Sequence, residues 1–192
     1  MWYGGNDMID IKILKKYTPE DQQALGLNGY VTRYRYAVSK EETAEETTIR
    51  IKLEQLNEPY KKRWPKGTDD FERYAEIISQ GFSLGAYEDG MLVGILIAEK
   101  RDWNNTMWIA ELEMGEAHRG RGIGSMLMEW IEQTARAQRC RIIGLEAQTL
   151  NVPAISFYRK HGFEIDGIDL SFYTNADVEK GEVALYMKKR LT

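Results

Sequence analysis

At 192 residues, with 43% hydrophobic and 29% charged side chains, the chain has the balance of a folded globular protein of one domain's size. A net charge of -4 and a pI near 5.4 argue against a nucleic-acid binder, which normally carries a basic face. The longest apolar run, MLVGILIA from Met91 to Ala98, is far short of the ~20 residues that cross a bilayer, so no membrane partner is expected.

In chain order, residues 1–7 lack a basic region followed by an apolar core and read as a disordered tip, which leaves a cytoplasmic location as the default expectation. Met8 to Leu14 alternates as a half-buried strand, and Thr18-Pro19-Glu20 supplies an N-cap and a first-turn proline for a helix. From Gly29 to Leu56, YVTRYRYAV and TTIRIKLEQL both read with period two around the acidic SKEETAEE. This predicts a long hairpin with a mobile, charged tip, serving as a lid or dimer contact or simply as a solvated loop. A homodimer through this hairpin or the C-terminal strands is compatible with the pattern.

Thr68-Asp69-Asp70 predicts a helix cap, with the helix running to Gln80 and stopped by Gly81. Phe82 to Tyr87 and Met91 to Lys100 are strands joined across Glu88-Asp89-Gly90, and the turn DWNN leads into the strand Thr106 to Met114. The next helix places Ile123, Met126, Leu127, Trp130 and Ile131 on one apolar face, with Glu132 and Arg136 paired outside. RIIGLEAQ is a strand, and Asn151 N-caps a short helix with Pro153 in its first turn and Gly162 at its end. FEIDGI and EVALYMKKR complete the sheet. The expected fold class is α/β: a single domain over 1–192, with one mixed, mostly antiparallel sheet of about seven strands and helices on both faces.

Cys140 is the only cysteine, which excludes an internal disulfide, and it reads as a small buried hydrophobe at a strand edge. With two histidines in the whole chain, no metal site is expected. The chemistry concentrates instead in HRGRGIGSML, His118 to Leu127. Gly120, Gly122 and Gly124 lie where a strand ends and a helix begins, so the unpaired first-turn N–H groups and the helix dipole favour an anion there. Arg119 and Arg121 add charge and forked donors for phosphate.

A P-loop needs Gly-Lys-Ser/Thr, which does not occur. A dinucleotide fingerprint needs G-x-G-x-x-G directly after a strand; here the pattern reaches Ser125 instead of a third glycine, and the charged GEAHR intervenes. Glu146, at a strand end about twenty residues on, keeps that alternative open.

The remaining pattern, Arg-x-x-Gly-x-Gly at Arg119, Gly122 and Gly124, resembles the coenzyme A pyrophosphate loop of the GNAT superfamily of N-acetyltransferases. Asn151, Ala154, Phe157-Tyr158 and Gly162-Phe163 extend the resemblance, which covers about Phe82 to Phe163. Trp103-Asn104, LEAQTLNVPAISFYRKHGF and FYTN with EVALYMKKRL resemble the streptothricin acetyltransferase branch. The resemblance implies direct acetyl transfer from acetyl coenzyme A to an amine, with no metal.

It further implies that Arg119, Gly120, Arg121, Gly122, Ile123, Gly124 and Ser125 hold the coenzyme's phosphates, and that Asn151 and Phe157 contact the rest of the coenzyme. Main-chain N–H groups of Leu112, Glu113 and Met114, where the strand bulges, would serve the cofactor's acyl oxygen. An amine near pKa ~10.4 must lose a proton to attack, and Glu111 is the candidate base or amine-positioning group. Glu111 and Glu113 share one strand face, whose alternative reading is an open, solvated surface. Tyr158 holds the family's general-acid position, and the role of packed core aromatic is expected of Phe157. The expected partner is a small-molecule amine, such as a streptothricin-like cation. A protein or peptide amine, or coenzyme binding without turnover, are the alternatives.

Overall fold

The computed structural model of the chain describes residues 9–26, 29–63 and 71–191. The expected tip at 1–7 and the Thr68-Asp69-Asp70 cap lie outside the described residues. Among those described, the order is β1 (Asp10–Ile13), α1 (Pro19–Leu25), β2 (Gly29–Glu42), β3 (Thr47–Arg63), α2 (Phe71–Ser79), β4 (Leu84–Glu88), β5 (Met91–Arg101), β6 (Thr106–Met114) and α3 (Ile123–Ala137). β7 (Ile142–Gln148), α4 (Val152–Lys160), β8 (Glu164–Asp169), α5 (Asp177–Lys180) and β9 (Ala184–Arg190) follow. Seven strands form one mixed sheet in the order β1-β4-β5-β6-β7-β9-β8, and β2 pairs with β3 in a separate ribbon. By contacts the described residues divide into two compact units, one of 9–26, 71–143 and 191, the other of 29–63 and 144–190.

In the first unit, α1 begins where the sequence expects. Thr18 Oγ1 accepts from the Asp21 N–H at 3.2 Å, Asp21 Oδ2 accepts from the Thr18 N–H at 3.0 Å, and Pro19 occupies the first turn. This reciprocal capping satisfies end groups that the helix itself leaves unpaired. β1, β4, β5 and β6 are antiparallel throughout, and Asp89 and Gly90 take positive φ angles of 49° and 79° at the β4–β5 turn, the geometry an Asp-Gly hairpin favours.

Strand alternation sorts the sheet's faces. Ile95 and Ile97 pack with Leu14, Tyr17, Leu25, Tyr74, Ile77 and Ile78, while the equally buried Leu96 and Ala98 point the other way. The face with Ile95 and Ile97 is therefore the one covered by α1, α2 and the segment leading into α1. Helix α3 packs against β4, β5 and β6. Its buried side chains are Ile123, Leu127, Met128, Ile131 and Ala135. The apolar face is thus rotated from the expected one, leaving Trp130 42% and Met126 38% exposed, because a helix with apolar residues at adjacent positions offers more than one stripe and packing chooses. Cys140 is buried, and that burial pushes its thiol pKa up.

In the second unit, the β2–β3 ribbon is longer than the sequence suggests. β3 continues past Leu56 to Arg63 despite Pro59, because the register jumps from Tyr34↔Gln55 to Thr32↔Tyr60 and leaves Leu56 to Pro59 opposite Arg33. A proline costs little in such an irregularity, where no ladder N–H is required. The ribbon's acidic tip closes on itself, Thr43 Oγ1 accepting from the Glu46 N–H at 3.1 Å and the Thr43 N–H donating to the Glu46 carbonyl at 2.8 Å. The Tyr36 N–H donates to the Thr149 carbonyl at 3.0 Å, and Thr149 in turn bonds to Val183, tying ribbon, β7 end and β9 start together. The short helix α5 was not anticipated; Asp177 Oδ1 and Oδ2 accept from the Thr174 and Tyr173 N–H groups at 2.7 and 2.8 Å.

No described helix is long and apolar enough to cross a membrane. Thr18→Ala should remove about 1 kcal/mol of stability through loss of the cap, read as a lower urea midpoint with unchanged slope.

Candidate active site

β6 enters the site with one irregularity. Ile97 pairs with Glu111 and Ala98 with Ile109, so Ala110 is the extra residue of a bulge. Leu112, Glu113 and Met114 lie beyond it and pair in register with Leu96, Ile95 and Gly94, so against β5 the bulge precedes the three residues expected to carry it. One consequence is the placing of the two carboxylates. Opposite residues of an antiparallel pair share a face, so Glu111 and Glu113 lie on the covered side with Ile97 and Ile95.

That side is not an open solvated surface. Glu113 is only 9% exposed, and its Oε2 accepts from the Tyr17 O–H at 2.8 Å. Glu111, half-buried, accepts through Oε2 from the Tyr74 O–H at 3.0 Å and through Oε1 from the Leu112 N–H at 3.3 Å. The rings of Tyr17, Phe71 and Tyr74 form one cluster with centroids 5.7 to 6.3 Å apart. Tyr17 and Tyr74 carried no sequence signal, since neither is near β6 in the chain.

After β6, a short turn at Glu116–His118 leads to the glycine loop, and Arg119 Nε donates to the Met114 carbonyl at 3.4 Å. Gly120 and Gly122 take φ angles of 75° and 84°, left-handed values that cost other residues about 1–2 kcal/mol. An added Cβ at either would meet nothing within 4 Å, so conformation and the open approach to the main chain, rather than crowding, select glycine. Gly122 caps α3, whose first turn includes Gly124 and Ser125 and no acidic residue. Ile123 is buried in the core, so only its main chain can serve a ligand. A 15-residue helix opening on glycines, with no acid in its first turn, fits a phosphate group.

Arg121 and His118 have a partner the sequence did not indicate. Arg121 Nη1 donates to Glu88 Oε2 at 2.9 Å, Nη2 donates to Glu88 Oε1, and His118 Nε2 lies 3.1 Å from Glu88 Oε2. His118 is thus part of a loop-bracing group rather than a plain surface residue. The Arg121 guanidinium holds the Glu88 carboxyl below the usual carboxylate range, with His118 adding to the effect.

In the second unit, Asn151 caps α4, its Oδ1 accepting from the Ala154 N–H at 3.2 Å. Val152, Ile155 and Tyr158 face inward, so the packed position expected of Phe157 falls to Tyr158 at 8% exposure, while Phe157 is half-buried with its ring 4.6 Å from that of His161. The three-residue spacing from Val152 was the available signal. Glu146, at the end of β7, accepts from the Tyr173 O–H, and the Tyr30 O–H donates to Gln148 at 3.3 Å. Burial raises the pKa of both phenols, so Tyr30 and Tyr173 act there as neutral donors. The antiparallel pairing of β6 with β5 and the turn after β6 do not supply the strand–helix junction that a dinucleotide fingerprint requires. Among the described residues there is no group of three or more metal-ligating side chains.

The sequence pattern of the Acetyltransferase (GNAT) family matches residues 50–163. A streptothricin acetyltransferase of Escherichia coli is 34% identical over 128 residues, 67% of this chain and 69% of that enzyme. One from Streptomyces lavendulae is 38% identical over 99 residues, and this match spans only about half of either chain, 52% of each. The crystal structure of a nourseothricin acetyltransferase superposes with a TM-score of 0.71 at 27% identity, covering 96% of this chain and 99% of that one. With fold, glycine loop and pattern in agreement, the chain belongs to the GNAT family of acetyltransferases.

Proposed function

We propose that the protein transfers the acetyl group of acetyl coenzyme A to a primary amine of a small cationic compound of the streptothricin kind. The observation that carries the proposal is the end of β6: two covered carboxylates, Glu111 and Glu113, followed at once by a left-handed glycine loop that opens a long helix. Carboxylates on a covered face attract an ammonium, and the loop suits a diphosphate. The similarity to streptothricin acetyltransferases supports the choice of acceptor.

Arg119, Gly120, Gly122, Gly124 and Ser125 would hold the coenzyme's phosphates, with Arg121 and the Ile123 main chain beside them; Asn151 and Phe157 would contact its pantetheine arm. Acetyl coenzyme A supplies the acetyl group as an activated thioester. Glu111 orients the amine or takes its proton, exposing the nitrogen lone pair. The N–H groups of Leu112, Glu113 and Met114 would be the donors for the developing oxyanion, that of Leu112 by giving up its bond to Glu111 Oε1. Tyr158 returns a proton to the sulfur: donation from a phenol near pKa ~10 to a thiolate of pKa ~8.5 is uphill by about 2 kcal/mol, a tolerable step.

Thiol release from acetyl coenzyme A, followed with streptothricin, polyamines and peptides, tests the reading. Streptothricin should be the strongest acceptor; a peptide preference would move the acceptor class, and silence across the panel with coenzyme bound would leave a binding module. Tyr158→Phe should lower kcat about a hundredfold or more and leave coenzyme affinity in calorimetry unchanged. Gly122→Val forces a β-branched residue to positive φ and should weaken coenzyme binding about tenfold.

A further inference from the structure

Both glutamates of β6 receive a phenol, and the two phenols come from elements far apart in the chain. Tyr17, in the segment before α1, donates to Glu113 across 96 positions, and Tyr74, on α2, donates to Glu111 across 37. Tyr17 and Tyr74 are themselves buried, at 5% and 8% exposure, and their rings lie 6.2 Å apart with Phe71 beside both. Each phenol is therefore fixed by packing before it meets its carboxylate.

Two carboxylates on one strand face repel each other, and burial further disfavours the ionised form. Left without donors, such a pair would take up a proton and lose both its attraction for an ammonium and its capacity to accept a proton from it. A lysine or arginine in the place of either tyrosine would keep the carboxylates ionised, but it would also neutralise them and repel a cationic substrate. A phenol keeps the charge and adds none, since hydrogen bonding to the ionised form favours that form. Among the described residues, the titratable groups that bond to the pair include Tyr17 from before α1 and Tyr74 from α2, with the two glutamates side by side on β6.

The geometry points to Tyr17 and Tyr74 as positioning residues of the acetyl-transfer reaction, holding Glu113 and Glu111 ionised and oriented for the amine. This rests on the amine-acetyltransferase reading above. It also enlarges that reading, because the Glu113 carboxylate joins Glu111 as a group that meets the ammonium. As the amine's N–H bond breaks, its proton forms an O–H bond with a carboxylate oxygen, and the nitrogen keeps the electron pair for attack on the acetyl carbon.

Full-length wild type, Tyr17→Phe, Tyr74→Phe, Glu113→Gln and the Tyr17→Phe/Glu113→Gln double variant provide the test. Carboxyl titration by carbon NMR on glutamate-labelled protein should show the Glu113 midpoint moving up in Tyr17→Phe and the Glu111 midpoint moving up in Tyr74→Phe. Each tyrosine variant should lose about tenfold in kcat with the KM for acetyl coenzyme A unchanged, and Tyr17→Phe should add little further loss in the Glu113→Gln background. Unmoved titration midpoints, or full additivity of Tyr17→Phe with Glu113→Gln, would overturn the inference. The two phenols are separate bonds, so failure of one variant to fold leaves the other as the test. Shifted midpoints in a chain that acetylates no amine would uphold the coupling and sink the acetyltransferase reading instead.

Discussion

A carboxylate covered by protein must be given hydrogen-bond donors, because a buried charge without them costs several kcal/mol and the group protonates instead. The first unit is arranged around that constraint. The β5–β6 register and the Ala110 bulge turn Glu111 and Glu113 toward the face covered by α1, α2 and the segment before α1, which meets them with Tyr74 from α2 and Tyr17 from that segment. The same helices bury Ile95 and Ile97 of β5, so one packing event both closes the core and supplies the donors. Apolar burial provides the drive and the two phenols make it compatible with charge.

The glycine loop follows from the same strand. Where β6 ends, Arg119 bonds back to the Met114 carbonyl, and Gly120 and Gly122 adopt backbone angles that side-chain-bearing residues resist. Glu88, from the β4–β5 hairpin, takes the fork of Arg121 and also meets His118. An arginine loop of this kind would otherwise concentrate positive charge on a few residues, and the Glu88 carboxylate offsets it while fixing the direction of one guanidinium.

Much of the fold was legible because its signals are local. The Thr18 cap, the Asp89-Gly90 turn, the Asn151 cap and the glycine-rich start of α3 each depend on a few neighbouring residues, and each occurs where the sequence places it. The errors share a different cause. Pro59 interrupts the period of β3, yet an irregular register accommodates it. Met126 and Trp130 belong to an apolar stripe that packing did not use, and Tyr158 rather than Phe157 takes the buried position on α4. On the two helices the sequence offered more than one admissible face, and contacts with other elements chose between them.

By itself, the sequence determined most of the elements, several of their turns and caps, and the glycine-arginine pattern that points to a phosphate-bearing ligand. These arise from backbone conformation and from hydrogen bonds that close within a few residues. Only the tertiary structure decided which carboxylates are covered, which tyrosines serve them and which glutamate braces the loop. Those pairings join residues 33, 37 and 96 positions apart, and no local preference can specify a partner that folding brings in from another element.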